Sequence, residues 1–158
     1  LVEGELGYIG SSSKMLDVVP SDVEQAMTTK ELAKEFVSKT DVDILAPSVG
    51  NIHGILKGVS NNPKLDIKRI ANIAKSIPNT NLVLHGGSGV SGEDFKQAIK
   101  SGINIVHINT EIRRVYREGI EEAFKADREQ VAPYKYLNKG RDSVSRVVES
   151  RLKLFLNS

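Results

Sequence analysis

Four short apolar runs, each followed by a segment with helical spacing of its apolar residues, constrain this chain more than any other feature. The runs are residues 1–7 (LVEGELG), 42–47 (VDILAP), 81–85 (NLVLH) and 103–108 (INIVHI). They lean on Val, Ile and Leu, as parallel strands covered on both faces do. Thr28, with Glu31 three residues on, reads as a capping box opening a helix that turns Leu32, Ala33, Phe36 and Val37 to one side. Asp66 caps a helix carrying Ile67, Ile70, Ile73, Ala74 and Ile77, closed by Pro78. Ser91 caps a third helix, which Gly102 ends. A fourth is predicted over 110–126, with Ile112, Val115, Ile120, Ala123 and Phe124 inward. After a linker around Pro133, Asp142 is placed to cap a last helix with Val144, Val147, Val148, Leu152 and Phe155 on its apolar face. The order βαβαβαβα plus a helix implies an α/β fold, a parallel sheet with right-handed crossovers. A doubly wound sheet and a barrel both satisfy it.

The polar residues favour the barrel. Glu3 and Glu5 lie in the first run, His53 soon after the second, His85 at the end of the third, and Asn109 and Thr110 after the fourth. Active sites of (β/α)8 barrels sit at the C-terminal ends of the strands. Four strands make half of a barrel, so its other half is expected before Leu1. The opening inside a strand, without Met, agrees with that expectation.

Two histidines, each followed by glycine and each leaving a strand at the same face, suggest a metal. Imidazole suits zinc, and a catalytic zinc site takes three protein ligands and an open position. Glu5 is a candidate third ligand beside His53 and His85. Glu3 and Glu5 point the same way on a strand, which is costly inside a barrel without a cation or a base. Pairing with Lys or Arg across the barrel answers that cost equally well. The turn Gly86-Gly87-Ser88-Gly89 precedes the helix capped by Ser91. Its amides and the helix N-terminus favour an anion, and the loops after the last two barrel strands are the usual phosphate site of the fold. The plainer reading is a glycine corner between strand and helix, with Asn109 merely capping the helix that follows it.

Composition narrows the remaining classes. No apolar run approaches the length of a membrane span, and there is no cysteine for disulfides or thiolate metal sites. A cytoplasmic setting is therefore expected. The net charge of +2 is spread among acids, with no stripe for nucleic acid.

Together, the blocks VEGELGYIG, DILAPSVGNIHG, LVLHGGSGV and GINIVHINTEIR resemble the class II, metal-dependent fructose-bisphosphate and tagatose-bisphosphate aldolase family, in family order. The closing GRDSVSRVVESRLKLF resembles the family's last helix. The resemblance implies that residues 1–158 are the last four βα units of an aldolase barrel with a C-terminal helical extension, inactive taken alone. It implies zinc at His53 and His85, with Glu5 as an additional ligand and a further histidine upstream. It also allows a second metal or a monovalent cation near the phosphate. Gly54, Gly86, Gly87, Ser88, His107, Ile108, Asn109 and Thr110 are implied substrate and phosphate contacts, with His107 and Asn109 nearest the chemistry. The implied partners are a phosphorylated sugar and further copies of the same protein, as a dimer or tetramer. The implied reaction is reversible aldol cleavage of a ketose bisphosphate; a non-catalytic sugar-phosphate-binding or structural member of the fold is the alternative. Four departures stand out. His107 replaces the family's asparagine, Asn109 its aspartate, and Ser11-Ser12-Ser13-Lys14 its acidic mobile loop. Ala132-Pro133-Tyr134 stands in place of an Asp-Pro-Arg element. No lysine ends a strand, which argues against Schiff-base chemistry.

Overall fold

A computed structural model describes residues 1–11, 14–23 and 25–157. Among them lie strands β1 (Glu3–Leu6), β2 (Met15–Leu16), β3 (Ile44–Pro47), β4 (Ile55–Leu56), β5 (Asn81–Leu84) and β6 (Ile103–Val106). The helices are α1 (Lys30–Thr40), α2 (Ile67–Ser76), α3 (Gly92–Lys100), α4 (Thr110–Ala126) and α5 (Pro133–Leu156). One sheet runs β1-β3-β5-β6, all parallel. Each crossover carries one helix and returns to the adjacent strand. The strand order never reverses, as it would at the switch point of a doubly wound sheet. The sheet is therefore a segment of barrel wall. The two-residue strands β2 and β4, which the sequence pattern did not announce, pair in parallel and join the loops after β1 and β3. No helix is long and apolar enough to cross a membrane, among the described residues.

The core lies between sheet and helices. Leu45, Leu82 and Leu84 pack with Ile70, Ile73, Phe95 and Ala98, all fully or almost fully buried. Alternation then turns Val83 and His85 to the opposite face, the barrel interior. Between β5 and β6 the register slips: Leu82 pairs with Ile103, but Val83 with Ile105. Asn104 is the extra residue, and its Oδ1 accepts the Leu82 N–H at 3.1 Å, which supplies a partner to the amide that the bulge would otherwise strand.

Several helix details differ from the sequence reading. Asp66 and Ser91 cap as expected, accepting the amides of Arg69 and Asp94. The cap of α1 is Thr29, not Thr28: Thr29 Oγ1 accepts the Leu32 N–H at 3.2 Å. Thr28 is buried and does something else. Its hydroxyl donates to Leu6 O at 2.6 Å and accepts from the Ser48 amide at 2.9 Å, tying the ends of β1 and β3 together. Leu32 faces solvent while Ala33, Phe36 and Val37 pack inward. Phe124 is outward too, tilted at 34° against Tyr136 with 4.8 Å between centroids. Helix α5 begins at Pro133, so Pro133 is its first turn rather than a linker. Asp142 lies inside α5 and pairs with Arg141. On α5, Leu154 and Phe155 reach the core, whereas Val148 and Leu152 are exposed.

The two threonines separate in a test. Thr28→Val removes two buried hydrogen bonds at about 0.5–1.5 kcal/mol each. Thr29→Ala removes one exposed cap worth about 1 kcal/mol. Denaturant unfolding should rank Thr28→Val as the more costly; the reverse order would return the cap to Thr28.

Candidate metal and phosphate site

The loops that follow the strands have no ladder to satisfy their backbone, and buried polar side chains supply the partners. Asn51 Oδ1 accepts the Val49 N–H at 2.8 Å, and its Nδ2 donates to His85 O at 2.9 Å. Asn51 thus fixes the β3 loop, two residues before His53, to the end of β5. The His53 N–H donates to Ile9 O at 2.8 Å, binding the same loop to the one after β1. Asn62 Nδ2 donates to both Gly54 O and Ser88 O at 2.8 Å, while its Oδ1 accepts the Leu56 N–H at 3.0 Å. Its own amide donates to Gly89 O at 2.8 Å. Gly89 has φ +83°, and a Cβ there would meet the Asn62 amide group at 2.8 Å. The glycine is required by both conformation and space.

On the interior face, Glu5, His53 and His85 bring one donor atom each to within 4.8 Å of one another. The His53 and His85 ring centroids are 6.2 Å apart and inclined at 55°. Two imidazoles and a carboxylate are donors that zinc accepts. Glu5 Oε2 and His85 Nδ1 are 3.4 Å apart, close to the roughly 3.3 Å between two atoms bound to one tetrahedral zinc. Burial holds the His53 imidazole below its ordinary pKa; Glu5 opposes this and His85 adds to it. A neutral ring is the form that ligates a metal. A second group, Glu3, His85 and His107, is equally close. His107 stacks on His85, with centroids 4.8 Å apart and planes at 28°. Glu3 Oε1 lies 2.7 Å from His85 Nε2. Among the described residues, Glu3 and Glu5 both lie against the His85 ring.

Beside these rings is a cavity of about 190 Å³, lined by His53, Gly54, His85, Gly86, Ser88, His107, Asn109 and Thr110. The β5 and β6 loops converge on it. Gly86 has φ +63°, and a Cβ there would lie 2.3 Å from Ile52 O, so the turn packs directly on the histidine-bearing loop. Gly87 and Ile108, expected contacts, do not line the cavity. The Gly87 amide is engaged by His107 O at 3.0 Å, and a Cβ would meet that oxygen at 2.8 Å. Gly87 is glycine for strand contact, and its amide is not free for an anion. Ser88 Oγ accepts the Asn109 and Glu111 amides at 3.3 and 3.0 Å. A hydroxyl has two acceptor positions and one donor, so only the Ser88 O–H remains to offer a ligand.

That arrangement decides the question of Asn109. It occupies the N-cap position of α4 yet makes no side-chain cap bond; Ser88, from the preceding loop, caps the helix instead. The Asn109 side chain lines the cavity without that duty. Sequence reasoning did not single out Asn51 and Asn62 at all, and it placed Glu3 only as a charge in need of a partner. Ser12 and Ser13 of the expected mobile loop lie outside the described residues. Tyr134 is exposed at the start of α5 and does not line the cavity.

The family model for class-II fructose-bisphosphate aldolase matches residues 1–158. Fructose-bisphosphate aldolase of Staphylococcus aureus is 36% identical over 156 residues, covering 98% of this chain and 51% of that protein. Sulfofructosephosphate aldolase of Alkalicoccus urumqiensis is 33% identical, over 97% of this chain and 51% of its own length. Among solved structures, the YdjI aldolase of Escherichia coli K12 superposes with a TM-score of 0.70 at 27% identity, over 97% of this chain and 47% of that one. A putative fructose-1,6-biphosphate aldolase from Coccidioides immitis gives 0.73 at 26%, over 97% and 51%. The chain spans about half the length of the curated relatives it matches. With the parallel barrel segment and the family model matched along its full length, the chain belongs to the class-II fructose-bisphosphate aldolase family.

Proposed function

We propose that residues 1–158 are the last four βα units of a (β/α)8 barrel, with α5 as its extension, in a zinc-dependent ketose-bisphosphate aldolase. The half-length match to the relatives supports the division. The reaction is reversible aldol cleavage of fructose 1,6-bisphosphate, or a related ketose bisphosphate, to dihydroxyacetone phosphate and an aldehyde phosphate. The complete protein works as a cytoplasmic homo-oligomer. The observation that carries the reading is the lining of one cavity: His53 and His85 on one side, Gly86, Ser88, Asn109 and Thr110 on the other. Among the described residues no lysine lines it, and a Schiff base would need such an amine.

Glu5, His53 and His85 hold the zinc, joined by a histidine from the other half of the barrel. Zinc bound there supplies Lewis-acid polarisation of the substrate carbonyl. The Gly86 amide and the Ser88 hydroxyl bind one phosphate at the start of α4, where the helix dipole favours a dianion. The Asn109 carboxamide orients a substrate hydroxyl, and His107 stands where a proton can be held near the reacting carbons. Thr110, buried at the first position of α4, completes the phosphate side.

The complete protein should lose ketose-bisphosphate cleavage on chelation and regain it with zinc, and His85→Ala should abolish both zinc binding and turnover. Cleavage that persists in chelator, or a zinc-loaded protein that cleaves no ketose bisphosphate, would overturn the reading. Ser88 and Asn109 should separate in a paired measurement. Ser88→Ala removes the acceptor of two helix amides, at about 0.5–1.5 kcal/mol each, so stability and affinity for dihydroxyacetone phosphate should fall together. Asn109→Ala should change stability by under about 0.5 kcal/mol and weaken that ligand roughly 2- to 10-fold. A stability loss in Asn109→Ala equal to that of Ser88→Ala would return Asn109 to a capping role.

A further inference from the structure

We infer that Glu3 is a positioning residue for His85: its carboxylate accepts the ring Nε2–H, fixes the tautomer and aims a bare Nδ1 at Glu5 and His53. The inference rests on the zinc reading for its consequence, though not for its geometry. Glu3 Oε1 and His85 Nε2 are 2.7 Å apart, the length of a charge-assisted hydrogen bond. Glu5 Oε2 is 3.4 Å from Nδ1, too long for one. The two nitrogens of a neutral imidazole differ, one donating and one accepting. Were the proton on Nδ1, the Nε2 lone pair would face a carboxylate oxygen at 2.7 Å, acceptor against acceptor. In the neutral form that ligates a metal, the geometry therefore places the proton on Nε2 and the lone pair on the Glu5 side.

The surroundings hold the ring in that pose. His107 stacks on its face at 4.8 Å, and Asn51 holds its carbonyl at 2.9 Å. The ring is the better buried partner, with its side chain 17% exposed against 31% for Glu3. A histidine that ligates a metal through one nitrogen commonly donates the other N–H to a carboxylate, which sets ring orientation and raises basicity. Glu3, two residues before Glu5 on the same strand face, supplies that acceptor. A second ion shared by Glu3, His85 and His107 would use the same Nε2. Two atoms bound to one zinc at about 2.0–2.1 Å with tetrahedral angles stand roughly 3.3 Å apart, and 2.7 Å is shorter than that.

The test uses the complete protein as wild type, Glu3→Ala and Glu3→Gln. Ring nitrogen NMR of the metal-free form should show His85 as a single Nε2–H tautomer in wild type and a mixture in Glu3→Ala. Zinc affinity, read by chelator competition, should fall about 10- to 100-fold in Glu3→Ala. Glu3→Gln retains an acceptor oxygen and should recover the tautomer and part of the affinity. The unfolding midpoint of the metal-free protein should stay unchanged, which separates positioning from a purely structural loss. An unaltered His85 tautomer in Glu3→Ala would overturn the inference, as would zinc affinity within twofold of wild type. So would a stoichiometry of two ions that falls to one, which would make Glu3 a ligand. A wild-type protein that binds no zinc would sink the metal reading instead, and the tautomer would still decide the role of Glu3.

Discussion

Backbone satisfaction at the strand ends is the constraint on which the rest of the site depends. The loops after β3 and β5 are largely buried, those after β1 and β6 bond to them, and a buried backbone group without a partner is costly. Regular structure cannot supply the partners there. Thr28, Asn51, Asn62 and Ser88 supply them, each short, each buried, and each bonded to backbone from another part of the chain. A carboxamide suits this because it donates and accepts at once. Asn62 uses both capacities to hold Gly54 and the turn at Ser88 in one frame. The chemically capable side chains then project from loops whose positions are fixed.

The alternating fold was legible because strands buried on both faces must be continuously apolar, and helices between sheet and solvent must be amphipathic. Asp66 and Ser91 were legible as caps because each immediately precedes its helix. Thr28 and Thr29 were not separable from sequence: both are threonines at a helix start, and only the tertiary bond to Leu6 tells them apart. Pro133 reads as a break or as a first turn with equal ease. His53, His85, His107 and Asn109 were singled out in the sequence because strand ends are where a barrel keeps its chemistry. Asn51 and Asn62 were not, because loop residues carry no periodicity and their partners are distant backbone atoms. The strand contact that engages the Gly87 amide was hidden for a related reason. A glycine that admits a ligand and a glycine that admits a neighbouring strand look identical in sequence.

The β6 bulge joins the sheet to the site. Carried on from Leu82 and Ile103 without a slip, one-for-one pairing would set Val106 beside His85. The extra residue, Asn104, advances β6 by one position, so Leu84 meets Val106 and the His107 amide donates to Leu84 O at 2.9 Å. His107 then stands level with His85 and on the same face, where the rings stack. A shift of one residue in a strand exchanges its two faces, so an unbulged β6 would present Val106 to the interior and turn His107 toward the helices. The Asn104 side chain makes the slip tolerable by bonding the Leu82 amide. A polar residue in the middle of an apolar strand, with no chemistry of its own, thereby decides which imidazole stands against His85.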